Sequence, residues 1–209
     1  MIGGDVSNAG EKTIALDRPY RVAVTITGDA ALLFHRWQSD AVDAKARAAK
    51  GSAARKSDNV ESYVWRDIEG FICLPGEYLR GSLIDPKNGA AKYRQDPRSP
   101  RKSALDLFKA GVISITDLAP IFNVNGEKAK EWDYLDRRRV TVQRAGITRE
   151  RRAYLAGWSA TICLLVTTPQ YIDPIILRQT LAEAGRLVGV GDFRPSFGRF
   201  SVTNFELLD

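Results

Sequence analysis

A run of apolar and β-branched residues from Trp158 to Thr168 constrains the fold more than any other stretch of this chain. Its unbroken apolar centre, Ile162-Cys163-Leu164-Leu165-Val166, predicts a strand that is central in a sheet or covered on both faces. Asp173-Pro174 then opens a helix, because the Asp carboxylate can accept a first-turn amide and proline needs no amide partner there. Ile175, Ile176, Gln179, Leu181, Ala182 and Leu187 supply its stripe, which ends near Gly189. The chain closes on the alternating segment Arg199-Phe200-Ser201-Val202-Thr203-Asn204-Phe205-Glu206-Leu207. The C-terminal order is therefore strand, helix, glycine turn, strand.

The N-terminal half repeats the theme less cleanly. Residues 1–18 read as an irregular polar arm, and Tyr20 to Thr27 alternates as a strand. Residues 38–62 hold almost no large apolar side chains and predict a mobile loop or a marginal exposed helix. Tyr63-Val64-Trp65 predicts a short strand, and Gly70 to Leu74 leads into a Pro75-Gly76 turn. A helix starts at Glu77, with Pro86 and Gly89 interrupting its continuation towards Tyr93. Pro97 and Pro100 mark a basic loop, and Ser103 to Lys109 a short helix. Strands are expected over Val112 to Leu118 and Arg139 to Gln143, with a turn at Asn123 to Gly126. Two β-α halves of this kind predict an α+β, ferredoxin-like (RRM-like) core with an antiparallel sheet. One domain spans residues 1–209, with insertions at about 36–62 and 85–138.

With 44% hydrophobic residues over 209 positions, the chain can bury a core without staples. No run approaches the ~18 apolar residues of a membrane span, and the first residues lack a signal-peptide pattern, which predicts a cytoplasmic protein without membrane contact. Cys73 and Cys163 both sit in apolar runs and read as buried free thiols. One histidine and two cysteines cannot assemble a zinc site, so neither metal nor other cofactor is expected.

The formal charge of +6 is informative through its distribution. Arg137, Arg138, Arg139, Arg144, Arg149, Arg151 and Arg152 crowd a short segment with only Asp136 and Glu150 nearby. A second cluster runs Lys87, Lys92, Arg94, Arg98, Arg101, Lys102, and a third Arg36, Lys45, Arg47, Lys50, Arg55, Lys56. Such clusters are the electrostatic footprint of phosphate binding, and equally of solvated loops and helix faces.

The stretch Gly189-Val190-Gly191-Asp192-Phe193-Arg194-Pro195-Ser196-Phe197-Gly198-Arg199-Phe200 is not a dinucleotide fingerprint. It follows a helix and precedes a strand, and no third glycine falls at the required spacing. Its glycines permit φ > 0 and would let a polyanion approach main-chain amides, with Arg194 and Arg199 supplying charge. Phe193, Phe197 and Phe200 read as anchors for the loop rather than as base-stacking rings.

A glycine turn ending in Gly198-Arg199-Phe200 between the last helix and last strand resembles the C-terminal signature of the RAMP superfamily. Ile68 to Leu83, centred on Pro75-Gly76, is similar to that family's strand, Pro-Gly turn and helix. Gly146-Ile147-Thr148-Arg149-Glu150-Arg151-Arg152-Ala153-Tyr154 takes the place of its polar segment before the long central strand. The resemblance implies a backbone-like subunit of a ribonucleoprotein complex, as in CRISPR effectors of antiviral defence, or a phage-borne or stand-alone relative. It implies single-stranded RNA or DNA as ligand, and copies of itself or other subunits as partners. Gly76, Arg80 and Ser82 from the helix element would lie near the strand. Arg149, Arg151 and Arg152 would pair phosphates, and Gly189, Gly191, Arg194, Gly198 and Arg199 would form the turn. Both elements are expected to converge on one cationic groove.

His35 stands just after the first strand, where the resemblance places the histidine of metal-independent RNases, so an RNase is the alternative. Asp29 resembles the acidic residue with which some backbone subunits cut a bound target, and also reads as an ordinary turn residue. A protein-interaction module with a basic surface is the third class.

Overall fold

The computed structural model describes residues 18–36, 47, 60–142 and 145–208. The polar arm over 1–17 and most of the 38–62 segment, including Lys45, Lys50, Arg55 and Lys56, lie outside the described residues, as does Arg144.

Four antiparallel strands form the main sheet: β1 (Tyr20–Gly28), β6 (Val112–Ser114), β10 (Ser159–Val166) and β11 (Phe200–Leu208). Their spatial order is β11-β1-β10-β6. Helix α1 (Gly76–Ile84) comes between β1 and β6 in the chain, and α3 (Pro174–Leu187) between β10 and β11. This β-α-β-β-α-β order, with the last strand beside the first, is the ferredoxin-like arrangement expected from the sequence. The remaining elements are β2 (Leu32–Leu33), β3 (Cys73–Pro75), β4 (Gln95–Asp96), β5 (Ser99–Ser103), α2 (Leu105–Gly111), β7 (Leu118–Pro120), β8 (Tyr134–Val142) and β9 (Ala145–Tyr154).

Alternation decides which face is covered. Val22, Val24 and Ile26 of β1 and Ile162, Leu164 and Val166 of β10 are fully buried in one cluster with Leu79 and Leu83 of α1 and Leu177 and Leu181 of α3. Each such side chain contributes about 1.5–3 kcal/mol by leaving water. The other face carries Arg21, Ala23, Thr25 and Thr27 of β1 and Ser159, Thr161, Cys163 and Leu165 of β10, with Thr25 bonded to Thr161 at 2.9 Å and Thr27 to Thr203 at 3.1 Å. No aromatic ring stands on that face of β1 or β10, so it offers bases no stacking platform. Cys163 lies there half-buried, whereas Cys73 is buried, and burial pushes its thiol up to about 11.

Trp158 sets the path of the chain after β1. Its indole is fully buried and donates from Nε1 to the Ala30 carbonyl at 3.0 Å. The Asp173 carboxylate caps α3 by accepting from the Ile176 amide at 2.7 Å, as its sequence predicts.

Several local expectations are corrected. Residues 60–63 form a 3-10 turn, and Tyr63-Val64-Trp65 is not a strand. Helix α1 stops at Ile84, and Ala90–Tyr93 is a separate 3-10 turn. Pro97 and Pro100 belong to the β4–β5 hairpin rather than to an open loop. In α3 the buried stripe is Leu177, Thr180, Leu181, Ala184 and Gly185, while Leu187 is exposed. The polar run before β10 is itself a long strand, β9.

Candidate nucleic-acid interface

The loop joining α3 to β11 lies against the chain that leaves β1. Gly198 N donates to Ala31 O at 2.8 Å and Asp192 N to Leu33 O at 3.0 Å. Within the loop, Val190 N donates to Gly198 O at 2.9 Å. Gly191 and Gly198 have φ of 79° and 69°, and a Cβ on Gly191 would stand 2.6 Å from Leu33 O. One on Gly198 would collide with the Val190 carbonyl. The glycines thus serve the loop's own packing, and the amides of residues 190, 192 and 198 are committed within the chain rather than turned to a polyanion.

That packing brings Asp192 to a second sheet, ordered β2-β9-β8. The register sets Arg138 opposite Arg149 and Asp136 opposite Arg151. Like charges facing across strands repel. The conflict is relieved by Asp136, which takes a bidentate pair from Arg138, and by Asp192. Asp192 Oδ2 accepts from Arg149 Nη1 at 3.3 Å and from Arg151 Nε at 3.1 Å. The arginines also stack on rings. Arg138 lies 4.7 Å from the Phe193 ring centre and 4.4 Å from that of Phe197. Arg151 lies 3.9 Å from Tyr63, and Arg152 3.6 Å from Trp132. Phe200 is fully buried.

Helix α1 and the glycine loop meet around a cavity of about 460 Å³ lined by His35, Tyr78, Lys109 and Arg194, with Glu77 and Asp85 also on its wall. The two elements converge, then, but the wall is of mixed charge. Arg194 Nη2 reaches Asp85 Oδ2 at 3.3 Å. The Tyr78 hydroxyl donates to the His35 carbonyl and accepts from Trp65 Nε1 at 3.2 Å. His35 Nδ1 is buried without a hydrogen-bond partner among the described residues, 4.0 Å from Asp192 Oδ2. Burial lowers its pKa, Asp192 opposes that, and Arg151 and Arg149 reinforce it. The ring is therefore held neutral near pH 7.

The structure treats the sequence-derived residues unequally. Ser82 is fully buried and its hydroxyl donates to Leu79 O at 2.7 Å, so it cannot touch a ligand. Gly76 is buried against the Thr116 carbonyl, and Gly189 is buried beneath the loop. Arg80 spends its guanidinium on the C-terminal end of α2, donating to Val112 O at 2.7 Å and Lys109 O at 2.9 Å. Arg152 stacks on Trp132 with Glu61 3.5 Å from its Nε, on the opposite face of β9 from Arg149 and Arg151. Arg199 is exposed and donates to Pro195 O at 2.9 Å. Asp29 accepts from Ser201 Oγ at 2.8 Å at the end of β1, which is a turn residue's place. Sequence reasoning missed Asp192 as the organising carboxylate and Lys109 as part of the cavity. A lone acid in a glycine- and arginine-rich turn was the available signal for Asp192.

Among the described residues no group of three or more His, Cys, Asp or Glu side chains is placed to hold a metal ion. No described helix is long and apolar enough to cross a membrane.

A basic hairpin braced against a loop of an α+β, ferredoxin-like domain is the class of arrangement that fold and site define. No family model and no curated protein matches the chain. Among solved structures, it is similar to a chain of the type III-B Cmr-beta complex bound to cognate target RNA, at 11% identity and a TM-score of 0.47. That alignment covers 92% of this chain and 61% of the other, so this chain spans less than two thirds of its neighbour. A chain of a Csm3–Csm4 subcomplex from the type III-A CRISPR-Cas interference complex aligns at 13% identity and a TM-score of 0.32, covering 93% of this chain and 78% of that one.

Proposed function

We propose that this protein binds a single nucleic-acid strand, RNA foremost, as a backbone-like subunit of a ribonucleoprotein complex. The observation that supports the reading is the charge of the β8–β9 hairpin. It holds six arginines, at 137, 138, 139, 149, 151 and 152, against Asp136 and Glu150 on its own strands. Asp192 and Glu61 reach in from outside, and Glu61 is shared with Arg66, so at least two positive charges are left over. Arg139 is exposed and makes no ion pair among the described residues, and Arg137 is 70% exposed although paired with Glu150. These two, with Arg199 and Lys109, are exposed cations that can meet phosphate, while Arg149 and Arg151 set the hairpin's position. Contacts of this kind hold a backbone without reading its sequence.

Anisotropy titrations of labelled single-stranded RNA across salt concentrations test this. Phosphate contacts give a log–log slope of roughly −0.7 each on single strands, and Arg139→Ala should remove about one such unit. A flat slope would point instead to an interaction module with acidic protein partners. A backbone role further requires that more copies bind as the strand lengthens, which light scattering of the complexes measures.

One observation favours a second reading. His35 is neutral and lines a cavity with Lys109 and Arg194. A neutral imidazole can take the proton of a ribose 2′-hydroxyl, whose oxygen attacks the adjacent phosphorus while the 5′-oxygen leaves and is protonated by water. Cleavage of RNA in EDTA that is lost in His35→Ala would establish it.

A further inference from the structure

The second basic cluster surrounds a cavity that the hairpin reading does not use. We propose that this cavity, between the β4–β5 hairpin and α3, takes one unstacked nucleobase of a single strand whose phosphates rest on the surrounding lysines and arginines. The proposal builds on the single-strand reading above.

Its volume is about 400 Å³, inside the roughly 300–1,000 Å³ typical of small-molecule sites. The apolar floor is made by Leu107, Phe108 and Ile176. Two tyrosines line the same cavity and stay open to solvent, Tyr93 at 70% and Tyr171 at 36% exposure. Folding has left a large ring at Tyr93 outside the core, although its neighbours Ala90 and Ala91 are buried.

Each ring has a cation beside it. Lys92 Nζ lies 6.0 Å from the centre of Tyr93, and the Arg98 guanidinium 5.8 Å from that of Tyr171. A ring to stack a base, with a cation in reach of its phosphate, is the repeating unit of single-strand recognition. The polar wall suits a base edge. Arg94 Nη2 donates to Glu183 Oε1 at 3.1 Å, while Arg94 Nε is buried with no partner among the described residues. The wall thus presents the Glu183 carboxylate as an acceptor, with the Arg94 guanidinium beside it. Over residues 87–106 six Lys and Arg face Asp96 and Asp106, so the surround favours a polyanion. An acidic peptide would use the cations but not the exposed rings.

The test uses the whole protein and a fluorescein-labelled single-stranded RNA, with a thiouridine-containing copy for photocrosslinking. Tyr93→Ala and Tyr171→Ala should each weaken binding roughly 5- to 150-fold, the range set by stacking of one base, with the salt slope unchanged. Tyr93→Phe and Tyr171→Phe should bind as the wild type, and crosslinks should map to peptides containing Tyr93 or Tyr171. Because Tyr93 is outside the core, its variant folds and carries the test by itself if Tyr171→Ala does not. Unchanged affinity in both Ala variants overturns the base site, and Arg139→Ala still lowering the slope would then leave the function proposed above standing. Loss of an acidic protein partner with RNA affinity intact also overturns it. A wild type that binds no RNA removes both readings together.

Discussion

Arg151 Nε donates to Asp192 Oδ2 at 3.1 Å, a contact that helps join the arginine hairpin to the glycine loop across 41 residues of chain. The Arg151 side chain is only 6% exposed and that of Asp192 14%. Asp192 is also bonded by Arg149, so one carboxylate answers two guanidiniums.

Replacing Asp192 by Ala leaves Arg151 buried without a counter-charge. Breaking a buried pair costs about 3–5 kcal/mol, and the residual exposure of Asp192 places this case near 3 kcal/mol. Chemical denaturation measures it. The same substitution frees Arg149, whose side chain is 28% exposed, while Arg151 stays buried, so among folded molecules the salt slope for single-stranded RNA should steepen by up to roughly 0.7. Stability and binding move in opposite directions. A purely structural hairpin would show only the first.

Arg80 separates the sequence's expectation from the structure's. Its bonds to Val112 O and Lys109 O satisfy carbonyls at the end of α2, where a cation also opposes the helix dipole. Arg80→Met should therefore cost about 1.5–3 kcal/mol of stability, as for a hydrogen bond to a charged group. Its RNA affinity per folded molecule should remain that of the wild type. A weakened affinity at full stability would return Arg80 to the binding surface.

Two glycine-to-alanine changes should have opposite signs. Gly198→Ala adds a Cβ against the Val190 carbonyl at a φ of 69°, and both strain and overlap act, for a loss of about 3 kcal/mol or more. Gly81 sits inside α1 with nothing within 4 Å of its Cβ position. Gly81→Ala should stabilise by about 0.5–1 kcal/mol, the helix-propensity difference. Thermal melts of the pair check both.

The ferredoxin-like core was legible because its residues follow simple rules. β1 alternates, Asp173-Pro174 caps α3, and the apolar run of β10 lies between two strands. β9 was illegible as a strand because its pairing with β8 is not marked by apolar alternation. Arg151 and Arg152 instead cover Tyr63 and Trp132, rings that come from distant parts of the chain. The stripe of α3 was misphased because Thr180 and Gly185 face inwards while Leu187 is exposed. Gly185 is there for contact with the backbone of Phe200, which no periodicity announces. Of the site, the meeting of α1 and the glycine loop was expected from the resemblance, whereas Glu77 and Asp85 on its wall were not. The inward turn of Ser82 and the carbonyls beneath Arg80 depend on tertiary neighbours.

His35 makes the protein's stability depend on pH near neutrality. Its folded pKa is lowered, first by burial and then by Arg151 and Arg149 against the pull of Asp192. The unfolded chain binds a proton near the ordinary value of about 6.5, so between that value and the lower folded one the unfolded state holds more protons. Stability therefore rises with pH through this window and falls as the solution is acidified below about 6.5. His35 is the only histidine, so subtracting the pH profile of His35→Gln isolates it. The variant should lose less stability between neutral and mildly acidic pH, read as the change in melting temperature. If both proteins fall in parallel, the folded and unfolded imidazoles titrate alike and burial does not shift the ring. If the wild type alone gains stability on acidification, Asp192 outweighs burial and the ring is protonated, which would make it one more cation for phosphate.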